Sequence, residues 1–238
     1  MTQAAIDEAC ERLSSAARPV SFSGAGLSAE SGIATFRDKQ GLWSTFDPMR
    51  LASPEGFAEA PDTVIEWYDW RRRKLAEARP NPAHDALAAW PGMTNVTQNV
   101  DDLLERAGAT GVVHLHGRLD LDRCNDRCGH EEPVRLADPP GRRTCPRCAA
   151  PLRPGVVWFG ESLPADDWAM AEQACIDADT LLVVGTSAAV YPAAGLIGLA
   201  RSTGATIIVV NPESSGASSL ADIEIVGKAG EVLPQLIP

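Results

Sequence analysis

Basic residues are in short supply. Across 238 residues, 21 Lys and Arg face 32 Asp and Glu, a formal net charge of −11. A field of that sign does not gather nucleic acid, so no direct nucleic-acid contact is expected, although a local basic surface is still allowed. Lysine is the scarcer cation, three against eighteen arginines, which reads as genomic bias. The opening residues MTQAAIDEACERL lack the basic region and apolar run of a signal peptide, so a cytoplasmic, reducing compartment is expected. No internal repeat or low-complexity tract is visible. Only Thr180 to Ala200 runs uncharged for 21 positions, about the length of a membrane span. Gly185, Thr186, Ser187, Tyr191, Pro192, Gly195 and Gly198 divide that run into a strand, a loop and the start of a helix, so no membrane contact is expected. With 45% hydrophobic and 22% charged residues, disorder, collagen and coiled coil are excluded in favour of a globular fold.

A chain of this length fits one α/β domain carrying an insert, and two large domains are not expected. Ile6 to about Ala16 reads as an amphipathic helix. Short β-branched runs follow in PVSFSGAG, TNVTQN (94–99), GVVHLHG (111–117), TLLVVGTS (180–187) and ATIIVVN (205–211). They are continuous rather than alternating, and helical patterns lie between several of them, as expected of parallel strands covered on both faces. The fold class is therefore α/β, a doubly wound parallel Rossmann-like sheet with a smaller helical plus zinc-binding module. The sheet core is expected over about 1–43, 83–117 and 155–238, a helical insert over about 44–82 and a cysteine-bearing module over about 118–154.

Four of the six cysteines fall within 25 residues. Cys124-x3-Cys128 and Cys145-x2-Cys148, separated by 16 residues, have the two-pair spacing that places four thiolates around a tetrahedral zinc. Four sulfur ligands leave no position for water or substrate, so the metal is expected to be structural. His130 lies close enough to be an alternative ligand, while Cys10 and Cys175 read as core residues. The second signal is GAGLSAESG at 24–32, a glycine turn after a strand whose following helix N-terminus would offer free N–H groups to a phosphate. It is not G-x-G-x-x-G, because Ala29 stands sixth, and no Gly-Lys-Ser/Thr follows to make a P-loop. The other strand ends deliver Gln98, Asn99 and Asp101, then His116, then Gly185, Thr186 and Ser187, then Asn211 and Glu213. Polar groups gathered at the ends of parallel strands point to one nucleotide crevice.

Taken together, GAGLSAESGIATFR (24–37), TQNVDDLLERAG (97–108), HLHG (114–117), the four cysteines, GVVWFGE (155–161), GTSAAVYPA (185–193), NPE (211–213) and the ending GKAGEVLP resemble the sirtuins, the Sir2 family of NAD-dependent protein-lysine deacylases. The resemblance covers almost the whole chain in order. It implies that NAD is a co-substrate and Zn²⁺ a structural ion. Gly24, Ala25 and Gly26 would hold the pyrophosphate, with Glu30 also in the cofactor site. Thr35, Phe36 and Arg37 would form a loop over the nicotinamide ribose. Asn99 and Asp101 would line the nicotinamide pocket and Gln98 would reach the ribose. Gly185, Thr186, Ser187, Asn211 and Glu213 would serve the adenosine side, with Ala229 at the adenine. In the family's chemistry the acyl oxygen attacks C1′ of the ribose, nicotinamide leaves, and His116 acts as general base on the ribose hydroxyls. An imidazole suits that task because its ordinary pKa lies near operating pH. Val157, Trp158, Phe159, Gly160 and Glu161 would pair with the substrate backbone as an added strand and wall the acyl-lysine tunnel.

Tyr68 and Arg71 stand three apart in EWYDWRRRKL, on one side of a helix. Taken alone, Arg71, Arg72 and Arg73 would read as a solvated basic face. The resemblance instead marks Y-x-x-R as the sign of sirtuins that remove acidic acyl groups, with Arg71 pairing a succinyl or malonyl carboxylate, Tyr68 adding a hydrogen bond and the small Ala52 making room. Leu104, Ala34 and Gly155 depart from residues common in the family. The expected partners are acyl-lysine proteins or peptides, and the expected state is a monomer. Two other readings share the crevice: protein mono-ADP-ribosyl transfer, which does not need His116, and a non-catalytic module that binds NAD or ADP-ribose.

Overall fold

The computed structural model describes residues 3–34, 47–138 and 141–236. Six strands form one parallel sheet: β1 (Pro19–Ser23), β2 (Thr94–Thr97), β3 (Val113–His114), β7 (Thr180–Val184), β8 (Thr206–Asn211) and β9 (Ile223–Val226). Their order is β3-β2-β1-β7-β8-β9. β1, β7 and β8 lie centrally, and every residue of β1 and β7 is buried, which is why those segments read as unbroken apolar runs. Alternation of side chains across the sheet sends Leu182, Val184, Ile208 and Val210 to one face and Leu181, Val183, Ile207 and Val209 to the other.

Helices cover both faces. On the first, α1 (Gln3–Ser15), α5 (Pro82–Ala89) and α9 (Ala229–Leu236) bury Ile6, Leu13, Leu87, Val232 and Leu233. On the second, α7 (Ala165–Asp177) and α8 (Gly195–Ser202) bury Ala171, Cys175, Leu196 and Ile197. Thr180 to Ala200 divides into β7, a loop and α8. Among the described residues no helix is long and apolar enough to cross a membrane.

A second layer of structure stands beside the sheet. Helices α2 (Pro48–Leu51), α3 (Pro54–Glu59) and α4 (Pro61–Glu77) pack on a small antiparallel sheet of β4 (Gly117–Cys124), β5 (Glu131–Pro133) and β6 (Leu152–Val156), ordered β5-β4-β6. α3 and α4 each begin at a proline, whose missing N–H is no loss at that position. Their shared core holds Leu51, Phe57, Val64, Tyr68, Leu75, Leu119, Val156 and Trp158. Arg72 joins helix to sheet: it is 3% exposed, donates to the Leu119 and Leu121 carbonyls and pairs with Asp122 at 2.7 Å. The solvated-face reading of the arginine run therefore fails at Arg72, because β4 presents it with carbonyls and a carboxylate. Arg73 and Lys74 are exposed.

Candidate active site and zinc centre

The strand order reverses between β1 and β7, and their ends align, Ser23 opposite Val184. In a doubly wound sheet the ligand crevice is expected at such a reversal, outside the carboxyl ends of the strands. Gly24 N–H donates to Val184 O at 3.0 Å and Gly26 N–H to Gly185 O at 2.8 Å. A Cβ on Gly26 would lie 2.7 Å from Gly185 Cα, so the glycines let two backbones interlock. This corrects the expected helix N-terminus. Two 3-10 turns, Ala25–Leu27 and Ala29–Ser31, follow β1, and Leu27 N–H and Ser28 N–H are spent inside them. Ala25 N–H takes part in none of these bonds.

Below the turn, Ser28 ties together the residues assigned to the nicotinamide pocket. Its hydroxyl donates to Asp101 Oδ2 at 2.9 Å and accepts from Asn99 Nδ2 at 3.2 Å. His84 Nδ1 accepts the Asn81 N–H, which leaves Nε2–H to donate to Ser28 Oγ at 3.3 Å. Burial, with Arg106 nearby, lowers the His84 pKa to about 4, so the ring is neutral. Burial raises the Asp101 pKa, opposed by the Ser28 and Leu103 hydrogen bonds. Gln98 bridges the crevice, donating to Thr186 Oγ1 at 3.0 Å.

Two histidines hold this loop by its carbonyls. His116 Nδ1–H donates to Gln98 O at 3.0 Å, which fixes the tautomer and leaves the Nε2 lone pair for proton transfer. Burial lowers the His116 pKa, opposed by that bond. His114 Nδ1 meets Asn99 O at 3.0 Å and its Nε2 meets Glu105 Oε1 at 2.8 Å. Both partners are acceptors, an arrangement that favours the doubly protonated ring. Although burial opposes the charge, the Glu105 bond and carboxylate raise its pKa.

On the adenosine side, Asn211 Nδ2 donates to Thr186 O and Ser215 Oγ, Ser187 O accepts from Gly216 N–H, and Glu213 is exposed. Ala229 is 4% exposed and sits in the core at the start of α9. Glu30 accepts the Gly230 N–H at 2.7 Å, pinning α9 to the glycine turn. Thr35, Phe36 and Arg37 lie outside the described residues.

The residues expected on the acyl side converge. Tyr68 is 2% exposed, and Arg71 places its guanidinium carbon 4.9 Å from the Trp67 ring and 5.5 Å from the Tyr68 ring. Burial lowers the Arg71 pKa, opposed by Tyr68 and by the Asp101 charge. Ala52 is buried beside them and its carbonyl accepts the Phe159 N–H at 2.8 Å. Strand β6 ends at Val156, before the segment expected to pair with substrate. Val157, Phe159 and Glu161 N–H groups bond to His116 O, Ala52 O and Trp158 O, and Trp158 N–H bonds to Glu161 Oε2. In that segment only the Gly160 N–H is outside these internal bonds, which restricts an added strand to Gly160 and to carbonyl acceptors. Glu161 turns inward to Arg123, Arg127 and Arg153.

The sulfurs of Cys124, Cys128, Cys145 and Cys148 all lie within 4.8 Å of one another, with the Cys124–Cys148 pair at 3.4 Å and the Cys128–Cys145 pair at 3.5 Å. Zinc–thiolate bonds of about 2.3 Å require tetrahedron edges of ~3.8 Å, so the four thiols fit a structural Zn²⁺. His130 is outside the cluster and its Nε2 meets Glu132 at 3.0 Å, which removes it as a ligand.

Ser28, His84, His114 and Glu105 had no role in the reading of the sequence. An Asn-x-x-His capping pattern at 81–84 was the one local sign for His84, and the others are joined only by the fold.

The Sir2 family model matches residues 24–192. An NAD-dependent protein deacylase of Methylococcus capsulatus is 47% identical over 243 aligned positions, covering 97% of this chain and 95% of that protein. One of Pyrococcus abyssi is 44% identical over 241, covering 98% and 96%. Among solved structures, a Sir2 homologue in complex with NAD superposes with TM-score 0.91 at 43% identity, covering 97% of this chain and 91% of that one. A variant Sir2 homologue in complex with ADP-ribose gives 0.93 at 42%, covering 99% and 95%. With a family model matched over most of its length and relatives above 40% identity across nearly the whole chain, the chain belongs to the Sir2 family.

Proposed function

We propose that this chain is an NAD-dependent protein-lysine deacylase that removes acetyl and acidic acyl groups, succinyl and malonyl, and forms nicotinamide and 2′-O-acyl-ADP-ribose. NAD supplies the electrophilic ribose carbon and the nicotinamide leaving group. In this reading Ala25 N–H faces the pyrophosphate, Gln98 the ribose, and Asn99 and Asp101 the nicotinamide. His116 receives a ribose-hydroxyl proton at Nε2. The acyl-lysine lies between Ala52, the 157–161 segment and the Tyr68–Arg71 pair, and the enzyme acts as a monomer.

The observation that carries the acyl assignment is Arg71. It is charged, set among aromatic faces, and no carboxylate forms an ion pair with it among the described residues. A guanidinium in that setting is matched by a ligand carboxylate. The test is a set of acetyl-, malonyl- and succinyl-lysine peptides of one sequence incubated with NAD. Equal release of nicotinamide and O-acyl-ADP-ribose is expected from all three. Arg71→Met should lower kcat/KM for the succinyl peptide at least tenfold more than for the acetyl peptide. Equal losses would overturn the acidic-acyl assignment, and three intact peptides would overturn the enzymatic one.

A further inference from the structure

Tyr68 offers its ligand either a donor or an acceptor, and the structure decides which. Its hydroxyl oxygen accepts the Trp158 indole N–H at 2.9 Å. An indole nitrogen only donates, so the phenol must spend its own proton elsewhere. No acceptor for that proton is found among the described residues, and the side chain is 2% exposed. A buried hydroxyl with an unused proton beside a guanidinium without a carboxylate forms a pair of donors that calls for an anion.

Trp158 is itself held with unusual completeness. The Arg153 guanidinium stacks 3.9 Å from its ring centroid, and Phe57 packs at 5.2 Å. Glu161 accepts the Trp158 main-chain N–H at 2.9 Å and also pairs with Arg153. One carboxylate thus fixes both the backbone of Trp158 and the cation on its ring. A cation over the indole face draws electron density from the ring and strengthens its N–H as a donor.

We propose that Trp158 is a positioning residue for acyl-group selection: its indole N–H holds Tyr68 as a donor toward an acyl carboxylate next to Arg71. The inference rests on the reading of Tyr68 and Arg71 as the acidic-acyl pair. Through Arg153 and Glu161 it also makes the β6 side of the small sheet part of the selectivity device, although neither residue reaches the acyl group.

The test uses the full chain and matched acetyl- and succinyl-lysine peptides. Trp158→Phe removes the N–H and should lower the succinyl-to-acetyl ratio of kcat/KM about tenfold, the size of a lost hydrogen bond to a charged group. The loss should lie mainly in KM for the succinyl peptide. On a Tyr68→Phe background the same substitution should change the ratio less than twofold, because its target is gone. Replacing Trp158 by 3-benzothienylalanine, which keeps the fused ring and removes only the N–H, should reproduce the shift and guards against loss of packing. An unchanged ratio in these variants, or an effect that adds fully to Tyr68→Phe, overturns the proposal. Arg71→Met separates the two failures: if it depresses desuccinylation selectively while the Trp158 variants do not, only the role of Trp158 falls. If it has no selective effect, the acidic-acyl reading falls first.

Discussion

His116, the proposed general base, shows how little of a side chain's behaviour is its own. Its Nδ1–H is committed to Gln98 O, so the tautomer is fixed, and burial lowers the pKa below the ordinary 6.5. A base works in its neutral form, so a lowered pKa extends activity toward acid: the neutral fraction is retained above the folded pKa and lost as pH falls through it. The acid limb of kcat/KM should therefore have its midpoint below 6.5, measurable from pH 5 to 8 in steps of about half a unit. His116→Ala should reduce deacylation by about 10²- to 10⁴-fold and remove that limb. Deacylation that persists in the variant with the same limb would place the base elsewhere. His114, two residues earlier, does the opposite. Its two acceptor partners favour the charged ring, and its raised pKa means that its contribution to stability is complete below the unfolded value and lost as pH rises through the folded one.

At the scale of elements, the strands with strong local patterns were legible. β1, β7 and β8 are buried on both faces and announce themselves by continuous β-branched runs. β9 escaped because it lies at the edge: Ile223 and Ile225 are buried while Glu224 and Val226 are exposed, too short an alternation to stand out. β4 escaped because Arg118, Asp120 and Asp122 break its apolar pattern, and the pairing of Arg118 with Glu105 and of Asp122 with Arg72 and Arg143 exists only after folding. The glycine turn was legible as a turn, but the helix expected after it was replaced by two 3-10 turns that interlock with Gly185. Glu161 read as part of the substrate wall because its neighbours do, whereas its three arginine partners come from β4, β6 and the turn between β4 and β5. A sharp test of this level of structure lies at the start of β4. Gly117 has φ +72°, and a Cβ there would stand 2.1 Å from Gly155 O. Gly117→Ala should cost at least ~2 kcal/mol, combining left-handed strain with overpacking, read as a lower urea midpoint. A variant as stable as the parent would mean that the β4–β6 pairing differs from that described.

The whole molecule divides its net charge of −11 unevenly. Residues 118–154 hold eight arginines and six carboxylates, so the remainder carries −13. A tetrathiolate zinc subtracts two from the +2 of this segment and leaves it near neutral. The metal therefore has a local task, closing the turns that carry Cys124, Cys128, Cys145 and Cys148 around a core with little other apolar material than Ala150 and Leu152. Strong chelation should loosen this module first, and activity should fall with it, since Arg153 of β6 stacks on the Trp158 ring. The expected record is loss of activity in step with amide-exchange protection in residues 118–154, while β1, β7 and β8 stay protected. Activity that survives full removal of the metal would separate the two.

The chain leaves the large sheet at His114 and enters the small one at Gly117, with only Leu115 and His116 between. The proposed general base thus sits on the two-residue link between the large sheet and the small one, so its position is fixed by both.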